Sequence, residues 1–352
     1  MFGCYKKSII LYCLHRIADE RTVYSVFHLL NGKKSSQTIQ DAFLFQLTPF
    51  FRVYPSMTRL QFDQHLTEMT KEKWILEYEP SQYRLTDLGR EALKEQLKKQ
   101  PLPVNLNGWK YHQLSVVFWE RLSLLVQVIS NLMYSNSKYL PIQRKKETHL
   151  WLKQFLQDTK MDRQVLAQKV FNEVVDCLEN STSIQPEFLI SRLTGAETIG
   201  LTKEQAALQY SMDQDYFELQ FQSILHTMLT VIKEKPVQLP LLNKVIQSAE
   251  TEFTMTVSAQ RTEELLQQGF TIEEIATFRK LKRNTIEDHI VELALNKPDF
   301  EIGRFVTDKN VAEIAEAVKK VTSKQLKHIK TIVPHAQYFE IRLVLAVFGD
   351  SL

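Results

Sequence analysis

The stretch from Thr271 to Ile290, T-I-E-E-I-A-T-F-R-K-L-K-R-N-T-I-E-D-H-I, leaves little choice of local fold. Ile272, Ile275 and Ala276 recur at helical spacing, and Thr271 with Glu274 has the form of a capping box. Arg279 to Lys282 is too short and polar for another element and reads as a turn. Asn284 or Thr285 is then expected to cap a second helix that buries Ile286, Ile290 and Leu293. Upstream, Leu265 and Leu266 lie on a helix that Gly269 ends in a left-handed conformation. Three helices closing a small core in this order make a helix-turn-helix, the architecture of many DNA readers. An ordinary helical hairpin is the plain alternative.

The rest of the chain supports the same class. Only 9 glycines and 11 prolines occur in 352 residues, which favours helix over sheet and loop, and 44% hydrophobic residues are enough for real cores. The expectation is a mainly α, multi-domain chain of helix-turn-helix units with one small β-hairpin wing near the N-terminus. Pro101 and Pro103, then Pro236 and Pro240, break the periodicity, so domains are expected at 1–100, 101–250 and 251–352. Cys4, Cys13 and Cys177 lack disulfide or metal spacing and read as reduced thiols of a cytoplasmic protein. The apolar stretch Leu114–Met133 carries Glu120 and Arg121 near its middle and reads as a buried helix, not a membrane span.

In the first block, Val23, Val26, Phe27 and Leu30 form a helix that Asn31-Gly32 stops, and a second helix runs from Gln37 to Phe45. Trp74–Tyr78 and Tyr83–Thr86 read as a hairpin, followed by a helix from Asp87 to Leu97. The run Y-R-L-T-x-x-G-x-x-x-L at 83–93 resembles the wing end of many bacterial winged-helix regulators. In the middle block, Leu114, Phe118, Leu122, Leu125, Ile129 and Leu132 form one long apolar stripe. Arg144-Lys145-Lys146 reads as a polar loop. Pro186–Leu229 repeats the helix-turn-helix rhythm, with Thr202 and Gln205 as a capping box and Asp213, Asp215 and Glu218 on an exposed acidic face. In the last block Val311, Ile314, Ala315 and Val318 form a helix, Thr322 and Gln325 cap another, and Lys320, Lys324 and Lys327 share a face. Arg342 sits in an apolar run and needs a partner, for which Glu340 is the candidate.

Catalytic constellations are missing. Asn31-Gly32-Lys33-Lys34-Ser35 has Phe27 where a phosphate loop needs glycine, and there is no H-E-x-x-H, G-x-S-x-G or paired cysteine set. His289 lies on the inner side of its helix and reads as a packed histidine. No enzyme activity, ATPase motor, cofactor or metal is expected. Charge is nearly balanced, +3 overall, with a net of +4 in residues 1–100, zero in 101–250 and −1 in 251–352. Phosphate neutralisation drives non-specific DNA affinity, so the first block has the better electrostatics. The candidate DNA contacts in the last block are Lys280, Lys282, Arg283, Asn284 and Thr285, at the turn and the start of the second helix. Glu287, Asp288 and Glu292 continue along that helix and conflict with deep insertion into a groove. In the first block the candidates are Lys33, Lys34, Gln37, Thr38 and Arg84.

Ser258–Leu293, with T-I-E-E-I-A and T-I-E-D-H-I, and the later E-I-R-L-V-L-A from Glu340 to Ala346, resembles the helix-turn-helix domain at the carboxyl end of RecQ-type helicases. Including Q-T-I-Q-D at 37–41 and R-L-T-G at 192–195, the whole chain resembles the YpbB-like bacterial proteins. The resemblance implies a cytoplasmic accessory protein with a RecQ-like helicase as partner, working on DNA in repair or recombination. Two alternatives stay open: a winged-helix transcription regulator using the first block, and a protein-interaction scaffold that does not bind DNA.

Overall fold

The computed structural model describes residues 5–179, 184–247, 255–297, 299–321 and 325–348. Among them are nineteen α-helices and one two-stranded antiparallel sheet near the N-terminus. Two compact units emerge: one from residues 1–9 with 94–253, the other from residues 10–93 with 254–352. The first and last thirds of the sequence therefore contribute to one unit.

The unit built on residues 94–253 is all helix. Its long members are α7 (Leu114–Met133), α8 (Lys146–Thr159), α9 (Arg163–Glu179) and α12 (Gln214–Glu234), joined by the short α10 (Pro186–Ile190), α11 (Lys203–Gln209) and α13 (Pro240–Gln247). The stripe read from the sequence is its core: Phe118, Leu122 and Leu125 are fully buried beside Phe217, Ile224 and Met228. By length and composition α7 is the one described helix long and apolar enough to cross a membrane. Its charges are engaged within the unit, Arg121 donating to the Val245 carbonyl at 2.6 Å and Glu120 pairing with Lys145 at 2.5 Å. The buried Glu173 of α9 accepts from the Leu241 and Leu242 amides at the start of α13, supplying acceptors that an apolar helix start lacks.

Two local expectations change here and one holds. Lys146 opens α8 and Lys145 precedes it, so the basic run is not all loop. The Thr202–Gln205 capping box forms. Asp213, Asp215 and Glu218 are half-buried, not an exposed acidic face. Asp213 caps α12 by accepting from the Asp215 and Tyr216 amides, and Asp215 pairs with Lys6 at 3.1 Å.

In the other unit, α2 (Val23–Asn31) ends at Gly32, whose φ of +83° is left-handed, and α3 (Ser36–Leu44) starts from Ser35. Next come α4 (Arg59–Lys71), the hairpin β1 (Ile75–Glu79) and β2 (Gln82–Leu85), and α5 (Asp87–Lys99). The strands lie one residue from the expected positions because Thr86 turns back on the Lys73 and Trp74 carbonyls and ends the ladder. The carboxyl-terminal part comprises α14 (Val257–Gln267), α15 (Ile272–Arg279), α16 (Arg283–Asn296), α17 (Asp308–Lys320), α18 (Leu326–Ile332) and α19 (Tyr338–Phe348). Helix α16 is the hub, packing on α14, α15, α19 and, from the other end of the sequence, α3. Ile286, Ile290 and Leu293 are fully buried there, as the periodicity requires.

Arg342 does not pair with Glu340. Residues two apart on a helix point to different sides, so Arg342 reaches Asp288 Oδ1 at 2.7 Å and Gln40 Oε1 at 2.9 Å. Glu340 instead accepts from the Gln337 amide and from Asn310. Lys320 closes α17 while Lys327 lies on α18, so they do not share one helix face. Lys324, Thr322 and Cys4 lie outside the described residues, and Cys13 and Cys177 are buried free thiols.

Candidate nucleic-acid interface

The turn between α15 and α16 is Lys280–Lys282, one residue shorter than expected, because Arg279 still belongs to α15. Helix α15 starts with the expected capping box: the Thr271 amide donates to Glu274 Oε2 at 2.8 Å and the Glu274 amide to Thr271 Oγ1 at 3.3 Å. It ends at Lys280, a lysine held left-handed at φ +54°. The residue at the cap of α16 is Lys282, not Asn284 or Thr285. With only three residues in the turn, the helix must begin at Arg283, and no side chain closes its first turn.

Arg279 is the part of this motif that the sequence did not reveal. Its guanidinium donates to the Ser258 carbonyl and hydroxyl, both at 2.8 Å, and to Thr262 Oγ1. Thr262 Oγ1 lies 2.8 Å from Nδ1 of the buried His289. One side chain thus ties α14, α15 and α16 together. Burial first, and the Arg279 charge second, lower the His289 pKa to about 4, so the imidazole is neutral at pH 7.

The five candidates of the last block are gathered at one corner. Lys280, Lys282, Arg283 and Asn284 are exposed, and Thr285 is half-buried. Arg283 is engaged by two carboxylates, Glu287 at 2.8 Å and Glu273. Lys280 and Lys282 therefore carry the free positive charge at this helix end, where unpaired amides and the helix dipole already favour an anion. The acidic residues that conflicted with groove binding are turned inward. Glu287 holds Arg283, Asp288 holds Arg342, and Glu292 accepts from the Thr256 amide and hydroxyl at 2.6 and 3.0 Å. From Ile286 to Ala294 nearly every residue of α16 is buried, so only its amino-terminal end faces solvent.

The first-block candidates have different fates. Lys33 and Gln37 are exposed, Lys34 is half-buried, and Thr38 is 5% exposed with its hydroxyl 2.8 Å from Ser35 Oγ. Burial lowers the Lys34 pKa, with Glu292 opposing and Arg52 reinforcing the shift, so α3's start lies within electrostatic reach of α16. Arg84 is exposed on β2, with its guanidinium 5.7 Å from the Tyr78 ring. Two cations beside Lys33 carried no motif signal. Arg52 is exposed in an isolated left-handed conformation at φ +60°, and Arg59, at the start of α4, lies over the Tyr24 ring. Among the described residues no cluster of His, Cys, Asp or Glu has the makings of a metal site.

Residues 258–345 match a family described as a helix-turn-helix domain, which spans α14 to α19 and points to DNA binding. Over 339 residues the chain is 33% identical to Protein YpbB of Bacillus subtilis (strain 168), covering 96% of each sequence. No solved structure matches it. That end-to-end correspondence, with the helix-turn-helix at its carboxyl end, places the chain in the YpbB family.

Proposed function

We propose that this protein is a non-enzymatic, cytoplasmic, DNA-associated accessory to a RecQ-like helicase, serving DNA repair or recombination. The observation that carries the DNA part is the α15–α16 corner, where Lys280 and Lys282 flank a helix start that no side chain caps. A phosphate oxygen can take those amide donors and both ammonium charges at once. Because α16 is buried beyond its first turn, the contact is end-on to the backbone, without a helix laid along a groove. Such a contact gives little base readout and suits a protein that follows another enzyme along DNA.

The helicase part rests on the likeness of Ser258–Leu293 and Glu340–Ala346 to the carboxyl-terminal domain of RecQ-type helicases. A helix-turn-helix that other helicases carry in cis would here be supplied in trans.

The test is a salt titration of fluorescence anisotropy on blunt and forked duplexes. Binding should weaken as salt rises, and Lys280→Glu with Lys282→Glu should remove most of it. Binding unchanged by that double swap would displace the contact from this corner. A pull-down under mild salt that recovers no helicase would overturn the partnership while leaving the DNA reading intact.

A further inference from the structure

We propose that the unit holds a second DNA-backbone contact, built from Lys33 and Arg52, in addition to the α15–α16 corner. This rests on the reading of that corner as a DNA contact and extends it to a second point.

The second corner is assembled by backbone geometry. Gly32 ends α2 left-handed, and its amide bonds to the His28 and Leu29 carbonyls. The Arg52 amide donates to the same Leu29 carbonyl at 2.9 Å, and the Tyr54 amide to the Leu30 carbonyl at 2.9 Å. The segment around Arg52 is therefore clamped to the end of α2, and the Arg52 side chain lies across Gly32. A Cβ at Gly32 would sit 2.5 Å from Arg52 Cβ and Cγ. Arg52 is itself held left-handed, at φ +60°, which fixes where its side chain leaves the backbone.

Its electrostatics are one-sided. Neither Lys33 nor Arg52 has an ion-pair partner among the described residues. The His28 pKa is lowered by burial first and then by Lys33 and Arg59, so cations outweigh acids at this point. The nearby carboxylates are committed elsewhere. Asp63 pairs with Arg59 at 3.2 Å, and Glu292 is buried against Thr256. A charged surface with unspent cations and exposed side chains fits a polyanion, with no pocket required.

The experiment uses the full chain and a duplex of about 20 base pairs. Two variants are compared with the Lys280→Glu, Lys282→Glu double swap: Lys33→Glu alone, and Lys33→Glu with Arg52→Gln. Lys33 is exposed, so its substitution leaves the fold intact, and a melting curve checks the double variant. The expected result is a roughly tenfold or greater loss of affinity for the double variant, and a log–log salt slope shallower by about 1.8, the value for two phosphates. If the variants bind as the wild type does while the Lys280, Lys282 swap abolishes binding, the second corner is refuted and the first stands. If Lys33→Glu weakens binding but the Lys280, Lys282 swap does not, the first reading fails and the contact belongs to this corner alone. Wild-type chain that binds no duplex overturns both.

Discussion

Arg342 and Asp288 lie 2.7 Å apart, and the same guanidinium takes Gln40 at 2.9 Å. This ties α19 to α16 and both to α3. Arg342 is mostly buried, at 18% side-chain exposure. Removing its carboxylate partner leaves a half-desolvated cation, so Asp288→Asn should cost about 1–3 kcal/mol by urea denaturation. Glu340→Gln should leave the Arg342 contacts in place. If Asp288→Asn were neutral and Glu340→Gln disrupted the α3 packing, the assignment of partners would be reversed.

Acid should loosen the helix-turn-helix through His289. Its pKa is about 4 in the folded chain against 6.5 unfolded, so the unfolded state binds the proton more readily. The stability tied to the neutral imidazole is fully present above pH 6.5 and is lost as pH falls toward 4, by an amount on the order of 3 kcal/mol. His226, buried in the other unit with a pKa of about 3, gives a second loss of the same sign. Denaturation midpoints from pH 7 to pH 4 measure the slope, and His289→Gln should flatten its part.

Arg279→Ala removes donors to Ser258 and Thr262 and should destabilise the chain by about 2 kcal/mol. Hydrogen exchange should rise first in α14 and α15. Exchange confined to the Lys280–Lys282 turn would mean the guanidinium is not the tie between helices.

Gly32→Ala puts a Cβ at left-handed φ and against Arg52, a double penalty of about 2 kcal/mol or more. Gly269, also left-handed at φ +90° but with nothing within 4 Å of an added Cβ, should lose only about 1 kcal/mol on the same change. Chemical denaturation of both variants, side by side, separates steric crowding from backbone strain.

The sequence carried the local pieces of this fold well. Capping boxes at Thr271 and Thr202, the glycine stops at 32 and 269 and the stripe on α7 each depend on residues within a turn or two of one another, and all are present. The tertiary pieces were not legible. Nothing near Arg342 in the chain names Asp288 or Gln40, and nothing near Arg52 says that it will meet Gly32. The start of α16 was misplaced by two or three residues because Asn284 and Thr285 are better capping residues than Lys282. A polar side-chain cap there would have occupied the amides that make the corner attractive to an anion.

The bond between Gln40 and Arg342 bridges 302 positions of chain. At 5–20 residues per second, a ribosome needs roughly 15–60 s to travel that far. For most of that interval α3 lacks the helices that cover it: Phe43 and Leu44 wait for Val291 and Leu295 of α16, and then for Leu345 of α19. Residues 94–253, which belong to the other unit, emerge in between, so the nascent polypeptide carries a bare apolar ridge until its final helices are translated. Chaperone capture during synthesis is the expected outcome, and shortening the message before α19 should turn that passing exposure into aggregation.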